Sequence, residues 1–368
     1  MPPPPSSGDS SVRYRARLLR AGRFRLDAGS MFGLIPRAVW SRTLGPHLDD
    51  KGRMPVQHNC LLLERLDDPA PGSPAAGLPA PRLVLLETGT GNKLDPASAA
   101  IFDLEDRPDG SGPRSILDAL HEADCRPEDI GAVVVSHLHF DHAGGLTRLP
   151  RAGETPDWTG PASGMAGKRP DHGVKLTFPS ATVHTQAREW HDALNNTSVM
   201  TRTYFRDHLE PVRGLVRAAE SPPPFAPGLV PLRDQAPAAP VERRATEILP
   251  GIRVFLVPGH TWGQQATLFT DEAGRTVVFT PDVMPTAWHV GQAYSLGYDV
   301  EPYTSMISRR WFLSEAADRG WTLLLDHEPG NPFRRAERTS SGWFDLHEAG
   351  DLGGGPIGGA TGAHAPAV

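Results

Sequence analysis

The chain has 368 residues, and its 37 Lys and Arg against 43 Asp and Glu leave a net charge of −6. That mild acidity excludes a global electrostatic case for nucleic acid or an anionic membrane as partner, while 39% hydrophobic residues suffice for a sizeable core. Two cysteines, Cys60 and Cys125, cannot build a disulfide framework or a cysteine zinc knuckle.

No run approaches the ~20 apolar residues that span a bilayer. The opening MPPPPSSGDSS has no apolar core of the signal-peptide kind. A cytoplasmic protein acting on a small molecule is expected, with neither nucleic acid nor membrane as partner. Oligomeric state is not legible.

Residues 1–12 read as a disordered tail and 13–347 as one domain. Met31 to Ile35 is an apolar segment expected to pack on the sheet. Cys60 to Leu63 looks like buried strand. Residues 68–81 are a Pro- and Gly-rich loop insertion. Arg82 to Leu86 is a strand ending in the turn Glu87-Thr88-Gly89, and Ser115 is placed to cap a helix carrying Ile116, Leu117 and Leu120. Gly131 to Val135 is a continuous apolar run, hence a buried strand. Residues 150–173 are a second insertion. Thr185 is the expected cap of a helix through Trp190 to Leu194, and 221–240 form a third insertion. The second and third insertions are either surface loops or lids. Ile252 to Val257 is a strand, and Ala266 to Phe269 with Thr276 to Phe279 make a hairpin. Thr304 caps a helix ending at Gly320, and Trp321 to Leu325 is a last buried strand. Residues 348–368 read as a disordered tail. This mixed order implies α/β layers.

Chemistry concentrates after the strand at Val133 to Val135, in Ser136-His137-Leu138-His139-Phe140-Asp141-His142-Ala143-Gly144-Gly145. Four potential ligands fall within six residues at a strand end, where sheet proteins place sites. His137 and His139 are two apart, so both rings point one way in extended chain. Imidazole with carboxylate is a borderline donor set that suits zinc, and also iron or manganese. Gly144-Gly145 is expected to permit a tight turn into a helix.

This HxHxDH pattern resembles the metallo-β-lactamase-fold hydrolase superfamily, and the resemblance implies further ligands in a fixed order. A His after a strand and a Gly is met by His260, in Val257-Pro258-Gly259-His260. An Asp after the next hairpin is met by Asp282. A His after a late strand is met by His327. The Asp-Thr-Gly turn usual in the family is Glu87-Thr88-Gly89 here. The match spans about residues 55 to 330.

The resemblance implies a four-layer αββα sandwich of two mixed β-sheets flanked by helices, with two divalent ions at one edge. Zinc is expected, with iron or manganese the alternatives. His137, His139 and His260 would hold the first ion and Asp141, His142 and His327 the second, with Asp282 bridging. A hydroxide bridging the ions would be the nucleophile. Asp141 and Asp282 are the residues assigned catalytic roles, Asp141 as an additional proton acceptor. Glu87 is expected to orient the ligand loop by hydrogen bonds. Asp326 points away if its segment stays extended and is left out.

The other histidines weigh differently. His58, His121, His172, His184, His191 and His208 read as structural or solvated, and His289 as core with pocket lining the alternative. Packing is preferred for Tyr294, Tyr298 and Tyr303, any of which could instead donate to an oxyanion.

Departures from the family bear on substrate. Zinc β-lactamases carry Cys, or lack the bridging Asp, at the position of Asp282. Acyl-homoserine lactonases carry Tyr where this chain has Pro285, and tend to carry His where it has Gln264. The glutathione-binding basic region of glyoxalase II relatives and the basic arm of RNA-processing relatives have no clear counterpart. Cleavage of an ester-like bond, in a carboxylic ester or lactone, is the expected activity. A phosphoester or phosphotriester hydrolase is the alternative, and a mononuclear-iron thiol or persulfide oxygenase is the alternative from another class.

Overall fold

The structure is a computed structural model that describes residues 12–162, 169–195, 203–225, 236–350 and 352. Most of the tails expected at 1–12 and 348–368 lies outside the described residues, as do parts of the insertions 150–173 and 221–240.

The first half of the chain contributes β1 (Arg13–Asp27), β2 (Arg53–Arg65), β3 (Leu83–Leu86) and β4 (Ala132–Val134). A small sheet follows from β5 (Thr147–Arg148), β6 (Trp158–Ala162) and β7 (Arg169–Leu176). The main sheet resumes with β8 (Thr182–Gln186) and β9 (Val216–Ala219). The second half supplies β10 (Thr246–Leu249), β11 (Ile252–Leu256), β12 (Gln265–Asp271) and β13 (Thr276–Thr280). It closes with β14 (Thr322–Leu325), β15 (Phe333–Arg338) and β16 (Phe344–Glu348).

Alternation of side chains sorts these strands into layers. Leu61, Leu63, Val84, Leu86 and Val134 from the first half share one apolar cluster with Val254, Phe269, Phe279 and Leu324 from the second. Their neighbours one residue along point outward. Leu62, Leu85 and Val133 pack with Ile116 and Leu120 of helix Ile116–Glu122. Phe255, Val278 and Leu323 pack with Ile307, Trp311 and Phe312 of helix Pro302–Arg319. Two β layers therefore face each other across a common core with helices outside, the expected sandwich.

The layers differ from the expectation in one respect: they are hydrogen-bonded into a single path. Its order is β16-β15-β14-β13-β12-β1-β2-β3-β4-β8-β9, with β10 and β11 beside β12. β1 makes the join. It runs antiparallel to β2 along most of its length, while its first residues, Arg13 and Tyr14, pair parallel with Thr270 and Asp271 of β12. The Tyr14 hydroxyl crosses the core to donate to Pro250 O at 2.6 Å.

Several expected boundaries move. Val12, Ala349 and Leu352 are buried in the shared core, so packed structure extends past both ends of 13–347. The insertion 150–173 includes β6 and part of β7. Thr185 lies in β8 rather than capping a helix, and the helix runs Ala187–Asn195. Helix Pro302–Arg319 is capped by the Glu301 carboxylate, which accepts from Thr304 N, and Gly320 ends it at φ 63°. Ser115 caps as expected, in a capping box with Asp118. In the segment Met31–Ile35, Met31 and Phe32 pack inward while Leu34 is 79% exposed.

Candidate metal centre

β4 delivers the His-rich segment to the end of the sandwich, and two buried carboxylates hold it there. Glu87, at φ 65°, accepts from Ser136 N at 2.6 Å and lies 3.3 Å from His142 Nδ1. The left-handed backbone is costly for a residue with a Cβ, and these two contacts hold it. Glu87 thus orients the loop as expected. Glu189, from helix Ala187–Asn195, accepts from Leu138 N, the Tyr204 hydroxyl and the Thr261 hydroxyl at 2.9, 3.0 and 2.6 Å. One side chain thereby ties the His137–His142 loop to the loop carrying His260.

Gly144 and Gly145 are needed for a different reason than the expected tight turn. Gly144 has an ordinary helical φ of −61°. A Cβ there would lie 2.2 Å from Thr90 O, and one on Gly145 would lie 2.3 Å from Thr88 O. The turn after β3 thus presses directly on the ligand segment, with Thr88 N and Oγ1 both donating to His142 O.

The remaining expected ligands arrive from three other strand ends. Gly259 leaves β11 at φ 134° against the first turn of helix Pro302–Arg319, and presents His260. Asp282 follows β13 and His327 follows β14. All seven residues are at most 9% exposed.

Their donor atoms converge. His260 Nε2 lies 3.0 Å from His139 Nδ1 and 3.1 Å from Asp282 Oδ2. His137 Nε2 and His142 Nε2 lie 3.8 and 3.7 Å from the same oxygen. His327 Nε2 lies 3.4 Å from Asp282 Oδ1, 3.2 Å from His142 Nε2 and 3.6 Å from Asp141 Oδ2. Asp141 Oδ2 is 3.9 Å from His142 Nε2. Asp282 therefore stands among all of them, with Oδ2 nearest His260 and Oδ1 nearest His327.

The backs of the rings are already engaged. His260 Nδ1 meets Asp299 Oδ1 at 2.9 Å, His142 Nδ1 faces Glu87, and His327 Nδ1 meets Gln57 O at 3.1 Å. A carboxylate or carbonyl partner places the proton on Nδ1, so in the neutral ring Nε2 offers a lone pair. His142 and His327 then aim lone pairs at each other across 3.2 Å, and only a proton or a cation between them relieves the repulsion. Tetrahedral donors 2.0–2.1 Å from zinc stand about 3.4 Å apart, within the spread of distances here. The residues fit a pair of divalent ions.

Electrostatics point the same way. Burial holds His137 and His139 below the usual imidazole range. Burial also opposes charge on His142, but Asp141, Asp282 and Glu87 outweigh it and raise that ring. Burial would raise Asp282, yet His260, His327 and His142 hold its carboxyl well below the usual range. Such a cluster gathers protons between carboxylates and exchanges them for cations.

Asp326 corrects the sequence reading. Both of its carboxylate oxygens are buried without a hydrogen-bond partner, and one lies within 4.8 Å of donor atoms on His142, Asp282 and His327. β14 ends at Leu325, so alternation no longer applies to the turn beyond it. Burial and the neighbouring Asp282 raise the Asp326 carboxyl well above its ordinary value. Glu189 and Asp299 are also absent from the expected site. Nothing in the sequence marks either, since an isolated acid on a helix or loop is ordinarily solvated.

The remaining candidates stand apart. His184 bonds Thr182 Oγ1 within its own strand. His289 is buried, accepting from Thr286 Oγ1, donating to Met31 O and stacking on Phe32. His58 stacks on Phe24 behind His327 and meets Thr90 Oγ1 at 2.9 Å.

A sandwich whose strand ends gather two ligand groups around one carboxylate defines a class of metal-site protein. The family model of the metallo-beta-lactamase superfamily matches residues 82–327, two-thirds of the chain, and the chain belongs to that superfamily. A probable metallo-hydrolase of Mycobacterium tuberculosis and its counterpart in Mycobacterium bovis are each 25% identical over 202 residues, which is 54% of this chain. The chain spans about half the length of these curated relatives, 52% of each. Among solved structures, a probable metal-dependent hydrolase from Staphylococcus aureus superposes with a TM-score of 0.63 at 19% identity, covering 91% of this chain and 98% of that one. A dizinc quorum-quenching lactonase superposes at 0.60 with 14% identity, covering 93% and 99%. At these identities the likeness concerns the fold. Among the described residues no helix is long and apolar enough to cross a membrane.

Proposed function

We propose that the protein hydrolyses an ester-like bond, in a carboxylic ester or lactone of a small molecule, with two divalent ions held at this centre. The observation that carries the reading is Asp282, whose Oδ2 lies 3.1 Å from His260 Nε2 and whose Oδ1 lies 3.4 Å from His327 Nε2. His137, His139 and His260 would hold one ion. Asp141, His142 and His327 would hold the other, with Asp282 between. Zinc is the expected metal, because imidazoles dominate the set. When bound, the ions supply Lewis acidity and bring the pKa of water toward neutrality.

The chain's own groups do the rest. Asp299, Glu87 and Gln57 O fix the tautomer and direction of His260, His142 and His327. Asp141 is the most exposed of the seven, at 9%, and would be the group that takes a proton from the attacking water. The water oxygen bonds to the acyl carbon, the bond to the leaving oxygen breaks, and the proton passes to that oxygen. Similarity of fold to a dizinc lactonase supports the ester class.

A panel of chromogenic esters, lactones and phosphotriesters, tested with zinc-, manganese- and iron-loaded protein, decides the matter. Turnover of esters or lactones, abolished by Asp282→Ala with the fold retained, is expected. Turnover confined to phosphotriesters, or unchanged in Asp282→Ala, would overturn the assignment.

A further inference from the structure

Hydrolysis of an ester builds negative charge on the acyl oxygen, and a fixed donor at that position accelerates the step. Most hydroxyls beside the centre are committed elsewhere. Ser136 meets His137 Nδ1, Thr88 donates to His142 O, and Thr261 and Tyr204 donate to Glu189. Lys93 is buried behind the ligand segment, its ammonium on Gly144 O and Thr147 O.

Tyr298 differs. It sits between two anchors: Gly297 N donates to Ser30 O at 2.6 Å, and Asp299 bonds His260. Val300 N and Glu301 N then donate to His260 O and Gly259 O at 3.1 and 2.9 Å. The backbone on either side of Tyr298 is thus fixed, one side to the ligand loop and the other to helix Ala28–Met31. The residue itself is 37% exposed and directly precedes Asp299, the partner of His260, and its phenol lies close enough to Asp141 and Asp282 to feel their charge. Its hydroxyl meets the Ser30 side chain, a partner that can swing away from it. Desolvation of the phenol, with Asp27, Asp141 and Asp282 adding negative field, pushes it up to about 12, so it remains a donor at neutral pH. Of the other tyrosines, Tyr14 bonds Pro250 O, Tyr204 bonds Glu189 and Tyr294 packs edge-on against Phe32, while Tyr303, 38% exposed, lies on the first turn of helix Pro302–Arg319.

We infer that Tyr298 is the hydrogen-bond donor to the acyl oxygen of the substrate, a role that rests on the ester-hydrolase reading. The phenol donates a hydrogen bond and keeps its proton, so the bond changes are those of hydrolysis given above.

The test uses full-length zinc-loaded protein, Tyr298→Phe, and Tyr303→Phe as control. Kinetics are measured on the ester that wild type turns over fastest, and affinity for phenylphosphonate, a tetrahedral anion, by calorimetry. Expected are a 30- to 100-fold fall in kcat for Tyr298→Phe, KM within about threefold, unchanged metal content and melting temperature, and at least tenfold weaker phosphonate binding. Tyr298→His, which restores a donor, should recover part of the loss and serves if the Phe variant folds poorly. A kcat within threefold of wild type would overturn the inference and leave the ester reading standing. If wild type turns over no ester or lactone, that reading fails, and phosphonate binding alone decides Tyr298. Equal affinity in both proteins, or binding in neither, overturns the inference, and a tenfold loss sustains the donor.

Discussion

Asp299 shows how one carboxylate acts through another residue. It grips His260 Nδ1 and also accepts Leu296 N, so the ring, the loop and the proton are fixed together. Asp299→Ala should leave the donor set in place but unoriented, lowering affinity for the ion beside His260 by 10- to 100-fold. Competition with a chromogenic chelator measures this, and an unchanged affinity contradicts the role. His289 gives a pH dependence. Burial lowers its pKa to about 4, against about 6.5 in an unfolded chain. Its contribution to stability is complete above about 6.5 and is lost as pH falls toward 4, some 3 kcal/mol in all. Melting temperature should therefore drop between pH 6.5 and 4, and His289→Gln should flatten that drop. Of the expected ligands, His137, His139, Asp141 and His142 were legible because they crowd after one strand end, and His260, Asp282 and His327 because the family resemblance implied them in order. Asp326 was not, because strand alternation was extended one residue past the end of β14.

At the level of elements, the site depends on loops pressed together. Glu189 satisfies three donors from three segments, and Glu189→Ala strands all of them in a buried place. With each lost partner worth about 1–3 kcal/mol, a loss of roughly 3 kcal/mol or more is expected. Urea denaturation checks it, and a loss below 1 kcal/mol would deny Glu189 its tying role. Gly144→Ala forces a Cβ to 2.2 Å from Thr90 O. Overpacking of this kind costs ~1–3 kcal/mol and should displace His142 with the turn. The strands at 82–86, 252–257 and 321–325 were readable as apolar runs between turn signals. β1 was not anticipated, although Tyr14, Ala16, Leu19, Phe24 and Leu26 are buried along it. Interleaved arginines mask the pattern, and the Gly22 irregularity in its pairing with β2 breaks the period.

Across the whole molecule, the centre lies where both β layers end, so its geometry depends on how the layers are held. The first layer brings His137 to His142, and the second brings His260, Asp282 and His327. β1 and the shared core lock one against the other, and chain beyond β16 helps close that core. Ala349 and Leu352 are 8% and 2% exposed within it. Deleting residues 349–368 should remove ~2–3 kcal/mol of apolar burial and lower the melting temperature by several degrees. An unchanged melting curve would show that these contacts contribute nothing. That segment was read as tail because its Gly-rich composition hides two apolar anchors. The layer architecture itself followed from the family resemblance, whereas the continuous sheet depended on a strand outside the matched motifs.

The most direct measurement is the metal content of the purified full-length chain by inductively coupled plasma mass spectrometry, after removal of loosely bound ions. Two divalent ions per chain are predicted, falling in Asp282→Ala as the group between the two ligand sets is lost. One ion or none in a natively folded chain supplied with zinc, manganese and iron would contradict the paired centre.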